Sequence, residues 1–205
     1  DSTIQTEPLA NYNIIVLDQA LKGRSYLTFT NTNVMRNAEA RDANVTAFDF
    51  SLFDNKNLFN VKGTARYSKI FGNNPYDGYN TTLKVGKVSG KWQYYVLGNV
   101  ESANYDPRDL GFLQAPNEAS VTNSITYSQF TPTKNLLSYN YKLTTKYAKL
   151  YAPSEFTDFQ ISANGFWLLK NFWDISLNAR YITDQHDYFV LGDPATYKRF
   201  VNRPR

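Results

Sequence analysis

The sequence predicts an all-β fold: an antiparallel up-and-down transmembrane β-barrel, about ten strands of it visible here as part of a larger barrel. Three observations carry this. Apolar and polar residues alternate over long stretches, the period of a strand with one apolar face. The stretches exceed the ~5–6 residues usual in soluble sheets and suit the ~9–11 residues that cross a bilayer at a tilt. The connections alternate between short turns and longer loops, as in outer-membrane barrels.

Strands are expected at 12–20, 24–34 and 43–54, where alternation is weak, and then at 57–70, where it is clearest. There Phe59, Val61, Gly63, Ala65 and Tyr67 oppose Asn60, Lys62, Thr64, Arg66 and Ser68. Strands 79–89, 91–104 and 119–131 follow. In 135–151, Leu137, Tyr139, Tyr141, Leu143 and Tyr147 oppose Ser138, Asn140, Lys142, Thr144 and Lys146. After 155–169, strand 172–184 sets Trp173, Ile175, Leu177, Ala179 and Tyr181 against Asp174, Ser176, Asn178 and Arg180. The short turns LKGR, DNKN, VSGK, TPTKN and KNF follow the odd strands. VMRNAEARDA, FGNNPYDG, ESANYDPRDLGFLQAPNE and the segment from Asp184 follow the even ones, with Ala152–Pro153–Ser154 a short exception. By the barrel rule the odd-strand ends face the periplasm. Residues 185–205 read as loop, and 1–205 as a single barrel segment with strands over 12–184.

Two features point to missing strands. The chain ends Arg-Pro-Arg rather than on a strand with a terminal aromatic. Open sheet edges in lipid would also leave backbone groups unsatisfied, at roughly several kcal/mol each. The opening DSTIQTEPLANYN is no signal peptide, so export calls for a signal outside this sequence.

Composition agrees with one greasy and one wet face. Among 205 residues stand 16 Tyr, 14 Phe and 3 Trp, yet only 42% are hydrophobic, and mean hydropathy is −0.50. The absence of Cys excludes disulfides, thiol catalysis and cysteine metal sites. The net charge of +4, without a Lys or Arg run, gives no nucleic-acid signature. A soluble sandwich also alternates, but it needs neither strands this long nor rings gathered at strand ends.

The rings expected at the lipid face are Tyr79, Trp92, Tyr127, Trp167, Trp173 and Tyr181, flanking aliphatic residues in an aromatic girdle. The residues expected to face the lumen are Lys62, Arg66, Lys84, Lys142, Lys146 and Arg180, with Asp158 and Asp174. They suit either a water-filled lumen favouring anions or a plugged one whose charges pair. Tyr76, Tyr79, Tyr105 and Phe112, in or beside the longer loops, either stack on surface sugars or fold the loops over the mouth. Asp77, Asp106, Asp109 and Glu118 are the calcium candidates, but no spacing resembles a calcium loop and ordinary solvated loops are expected. His186, the single histidine, forms a dyad with Asp184 or Asp187 in one reading and is an exposed loop residue in the other. No catalytic residue, metal or cofactor is expected.

The run Ala103–Asn104–Tyr105–Asp106–Pro107–Arg108–Asp109–Leu110–Gly111–Phe112–Leu113 precedes a strand opening Thr122–Asn123–Ser124 and ending Tyr127–Ser128–Gln129–Phe130–Thr131–Pro132. With the tail His186–Asp187–Tyr188–Phe189 and Tyr197–Lys198–Arg199–Phe200–Val201–Asn202–Arg203–Pro204, it resembles a Bacteroidota outer-membrane barrel family of unknown function. That family's landmarks are approximately F-x-x-x-D-x-G-F and G-R-x-F-x-R-P. Tyr105, Tyr197 and Lys198 depart from them, and one extra residue separates Phe200 from Arg203. The resemblance covers residues 12 to 204. It implies a barrel commonly preceded by a domain resembling carbohydrate-binding module family nine, and no binding residue is carried over.

The expected function is therefore that of a bacterial outer-membrane barrel passing solutes or glycans. The alternatives are a membrane anchor or scaffold for a glycan-binding or protein module, and a barrel hydrolase using His186. Expected partners are the lipid bilayer, a membrane-complex protein and a glycan, without nucleic acid.

Overall fold

The computed structural model of the protein describes residues 8–37, 40–109, 116–189 and 198–202. Ten strands form one antiparallel sheet in chain order. They are β1 (Ala10–Ala20), β2 (Tyr26–Arg36), β3 (Asp42–Phe53), β4 (Phe59–Phe71), β5 (Tyr76–Lys87), β6 (Trp92–Glu101), β7 (Glu118–Gln129), β8 (Leu136–Leu150), β9 (Phe156–Leu169) and β10 (Asp174–Ile182). Each pairs with its sequence neighbours, and β1 and β10 have one neighbour each, so the sheet is open. Strand lengths run from 9 to 15 residues, and every end lies within three residues of its expected place.

Two expectations are corrected. Residues 185–205 are not all loop: β11 (Gln185–Phe189) pairs with β12 (Lys198–Asn202), and β11 packs against β9. Aromatic and β-branched residues in QHDYF and KRFVN suit a ladder despite the polar composition around them. The alternation of loop lengths is also weaker than expected. The connections at 37–41, 72–75 and 151–155 are no longer than the turns at 21–25, 54–58, 88–91, 130–135 and 170–173. The strands extend into the expected loops, as where β5 begins at Tyr76, and only 102–117 remains long.

The register propagates one pleat across all ten strands. Tyr67 faces Thr46 and Tyr79, Val85 faces Val61 and Val96, and Ile125 faces Tyr94 and Leu143. Directly opposed residues share a face. One face therefore collects Phe48, Leu52, Phe59, Leu83, Val85, Val96, Ile125, Leu143 and Leu177, all exposed. The other collects Ser51, Asn60, Ser68, Asn80, Glu101, Ser120, Ser124, Ser128 and Asp158, all buried. This distribution is the reverse of a soluble sheet, where large apolar residues are inside. Small polar side chains crowd one another on the inner side of a curled sheet, while bulky ones splay on the outer side.

The pattern inverts at one corner. Near the ends of β1–β3, the otherwise apolar face carries Asn11, Asn13, Asn31, Asn33, Asn44 and Thr46. Asn31 Nδ2 donates to Asn44 Oδ1 at 3.2 Å and to Thr46 Oγ1 at 2.8 Å. Behind them, the inner face holds a dry cluster of Val34, Ala43 and Ile70, with Ala10 and Tyr76 packed on it.

Two glycines of this sheet differ in their surroundings. A Cβ on Gly86 would lie 2.2 Å from the Tyr94 carbonyl oxygen, whereas one on Gly98 meets nothing within 4 Å. Gly86→Ala should destabilise the sheet by on the order of 1–3 kcal/mol through overpacking. Gly98→Ala should be neutral or slightly stabilising. Denaturant midpoints of the two variants check this.

Candidate functional site

The polar face and the connection that crosses it form the candidate site. All eight residues expected at the lumen lie on this face, and Tyr79, Trp92, Tyr127, Trp167 and Tyr181 of the expected rings take the opposite pleat. Trp173 lies just before β10, 73% exposed, and Tyr181 is 58% exposed.

Two polar networks lie along the inner face, one from β3 to β8 and one on β9 and β10. Arg66 lies 3.7 Å from Asp49 and donates to Asn80 at 3.5 Å. Asn80 donates to Asn99 at 3.0 Å, and Asn99 to Glu118 at 3.5 Å. Glu118 also accepts from Ser120 at 2.6 Å and from Lys146 at 3.1 Å. Farther along, Gln160 donates to Asp158 at 3.0 Å and accepts from Arg180 at 2.7 Å. Arg66 and Lys146 thus belong to the first network, and Arg180 and Asp158 to the second. Lys62 and Lys84 face each other across β4 and β5 nearer the short turns, and Lys84 Nζ sits 3.9 Å over the Tyr95 ring. Lys142 and Asp174 are exposed on the same face.

On the other face the rings form a belt. Trp92–Tyr127, Tyr127–Tyr139, Tyr139–Tyr141 and Tyr141–Trp167 have centroids 4.8, 6.1, 5.6 and 5.7 Å apart. Trp167 Nε1 donates to the Tyr141 hydroxyl at 3.1 Å. Toward the opposite strand ends, the Tyr79 hydroxyl donates to that of Tyr151 at 2.8 Å. Aliphatic residues of β5–β10 lie between the two sets.

The connection after β6 folds back over the polar face as a strap. Its start is fixed by Ser102, whose N–H donates to the Tyr79 carbonyl at 2.9 Å while its Oγ accepts from Tyr79 N–H at 2.8 Å. Gly78 allows the approach: a Cβ there would lie 2.3 Å from the Tyr105 nitrogen. Tyr105 is buried, and the Asp106 N–H donates to Ser68 Oγ at 2.9 Å. Asp106 accepts from Tyr76 Oη at 2.7 Å and from Arg108 Nε and Nη2, each at 2.8 Å. Asp109 is gripped from two sides, by Arg36 at 2.9 Å and Arg41 at 2.8 Å. The strap therefore reaches from β6 to the end of β2.

The charge pairing tunes these groups. The Arg108 guanidinium beside Asp106 holds its carboxyl well below the usual range, outweighing the opposing effect of burial. Burial pushes the Tyr105 phenol up.

Several sequence candidates find their places here. Asp106 and Asp109 meet arginines, Glu118 meets Lys146, and Asp77 stands opposite Lys69, so the four calcium candidates are not brought together. Among the described residues no three metal-ligating groups cluster. Tyr76 and Tyr105 fasten the strap, while Phe112 lies outside the described residues, as do Tyr197 and Arg203. The His186 ring stands edge-on to Phe156 at 5.5 Å, and Asp184 is exposed. Asp187 belongs to β11, and its side chain lies outside the described residues. Sequence reasoning missed Arg36, Arg41 and Ser68. The available signal was two arginines in VMRNAEARDA matching two aspartates in DPRD.

Asp106→Asn should weaken the strap by roughly 1–3 kcal/mol, because it removes the charge from a buried hydrogen-bonded pair. Faster amide exchange in residues 102–109, with sheet exchange unchanged, checks this. A carboxyl with a depressed folded pKa contributes its stability above the unfolded pKa and loses it as pH falls toward the folded value. Strap exchange protection should therefore hold from pH 7 to about 4 and decline only below that.

A family model described as "Domain of unknown function (DUF5916)" matches residues 1–205. No curated protein and no solved structure matches the chain.

Proposed function

We propose, for a chain that belongs to this family of unknown function, that it forms part of the wall of a bacterial outer-membrane β-barrel. Small polar solutes, glycan fragments among them, pass along its inner face beneath the strap. One observation carries this reading: the large apolar side chains are exposed on one face while serines, asparagines and carboxylates are buried on the other. Full burial of such an apolar side chain is worth roughly 1.5–3 kcal/mol. About twenty of them half exposed to water would cost on the order of tens of kcal/mol. That exceeds the net stability of about 5–15 kcal/mol typical of a domain. Hydrocarbon removes the cost. Strands of 9 to 15 residues suit the span, and the ring belt suits the interface with water. The likeness of the strap and tail to Bacteroidota barrels that commonly carry a carbohydrate-binding-like domain supports glycans among the solutes.

The full-length protein should sediment with the outer membrane, resist carbonate extraction and require detergent for release. In planar bilayers it should give discrete conductance steps. A membrane-embedded but electrically silent protein would replace the passage reading with that of an anchor. Recovery as a detergent-free soluble monomer would end both.

A further inference from the structure

The strap's two aspartates occupy a cradle that belongs to the wall. Arg36 is the last residue of β2, Arg41 directly precedes β3, Tyr76 opens β5 and Ser68 lies in β4. The cradle is held without the strap. Arg36 N–H donates to Asp42 at 2.7 Å, its Nη1 donates to the Arg41 carbonyl at 2.6 Å, and Arg41 Nη1 donates to Tyr76 Oη at 3.0 Å. What remains, the Arg36 and Arg41 Nη2 groups, converges on Asp109 at 2.9 and 2.8 Å. The Tyr76 hydroxyl donates to the Asp106 carboxylate, and Ser68 Oγ accepts from the Asp106 backbone N–H.

We infer that this cradle is a binding site for carboxylate-bearing solutes, filled at rest by the strap's own carboxylates. With the strap in place, 15% of the Arg36 side chain and 44% of that of Arg41 are exposed. Two guanidiniums whose Nη2 groups converge on one point repel each other without a counter-anion. If the strap lifts, an external carboxylate is the group that fits the vacated donors, because the planar guanidinium fork matches carboxylate geometry. The strap is tethered, so its aspartates act at an effective concentration of roughly millimolar, and a competitor must reach that range. The site goes beyond the passage reading and stands on wall geometry whether or not the sheet carries solute.

These 205 residues contain no cysteine, and any cysteine elsewhere in the full-length protein is replaced by serine for the test. Tyr105→Cys places one thiol in the buried part of the strap, so its alkylation rate reports strap release in the full-length protein. Sodium succinate at tens of millimolar should raise that rate at least threefold over sodium chloride of equal ionic strength. In Asp109→Asn, which removes the carboxylate shared by Arg36 and Arg41 and leaves Arg41 only Asp106 at 3.8 Å, succinate should raise the unfolding midpoint more than matched chloride. Adding Arg36→Gln should abolish both responses, and Arg41→Gln serves where Arg36→Gln does not fold. Equal behaviour of succinate and chloride in both assays overturns the inference, as does a succinate response that survives loss of the arginines.

Discussion

The structure depends on the register of ten antiparallel strands. Each strand uses its backbone hydrogen bonds on its neighbours, so the side chains alone decide what each face meets. The pleat has a period of two, and a slip of one residue would send Lys62, Arg66 and Lys84 to the apolar face with no compensating partners there. Opposed pairs such as Val61 with Val85 and Thr64 with Thr82 favour the observed pairing on both faces at once. Everything else, the ring belt, the polar networks and the seat of the strap, inherits its position from this alignment.

The strands were legible because period-two alternation is a local property. It was plainest in β4, β8 and β10, where the apolar set keeps to one pleat through the middle of each strand. It was faint in β1 to β3 for a reason that the fold reveals. In β3 the apolar residues move from Val45 and Ala47 to Phe48, Phe50 and Leu52, changing faces midway, and β1 runs Ile14, Ile15, Val16, Leu17 across the same switch. The face of each charged residue followed from parity. Which charges meet did not, because Lys146 and Glu118 lie 28 residues apart and their meeting depends on strand pairing.

The strap was the least legible part. Tyr105 and Asp109 stand at positions of the loop landmark that suggested the family, yet nothing local says that the loop turns inward rather than out. Its direction comes from long-range terms: the bare backbone at Gly78, the Ser68 hydroxyl, and arginines some seventy residues earlier. The dry cluster of Val34, Ala43 and Ile70 lies on the same side and end of the sheet. At that corner apolar groups are inside and amides outside, an ordinary soluble arrangement next to a wall built the other way round. The pattern changes partway along the same three strands.

The Asp109 ion pairs also have a mechanical meaning. They join the end of β6 to the end of β2 through a span that bypasses β3, β4 and β5. A chord fastened at two points of an arch sets how far the arch can spread. The strap thus restrains the bend of five strands at that rim, while the rim with only tight turns has no such brace among the described residues. The two rims of the same wall should differ in stiffness, the braced one holding its width while the other breathes.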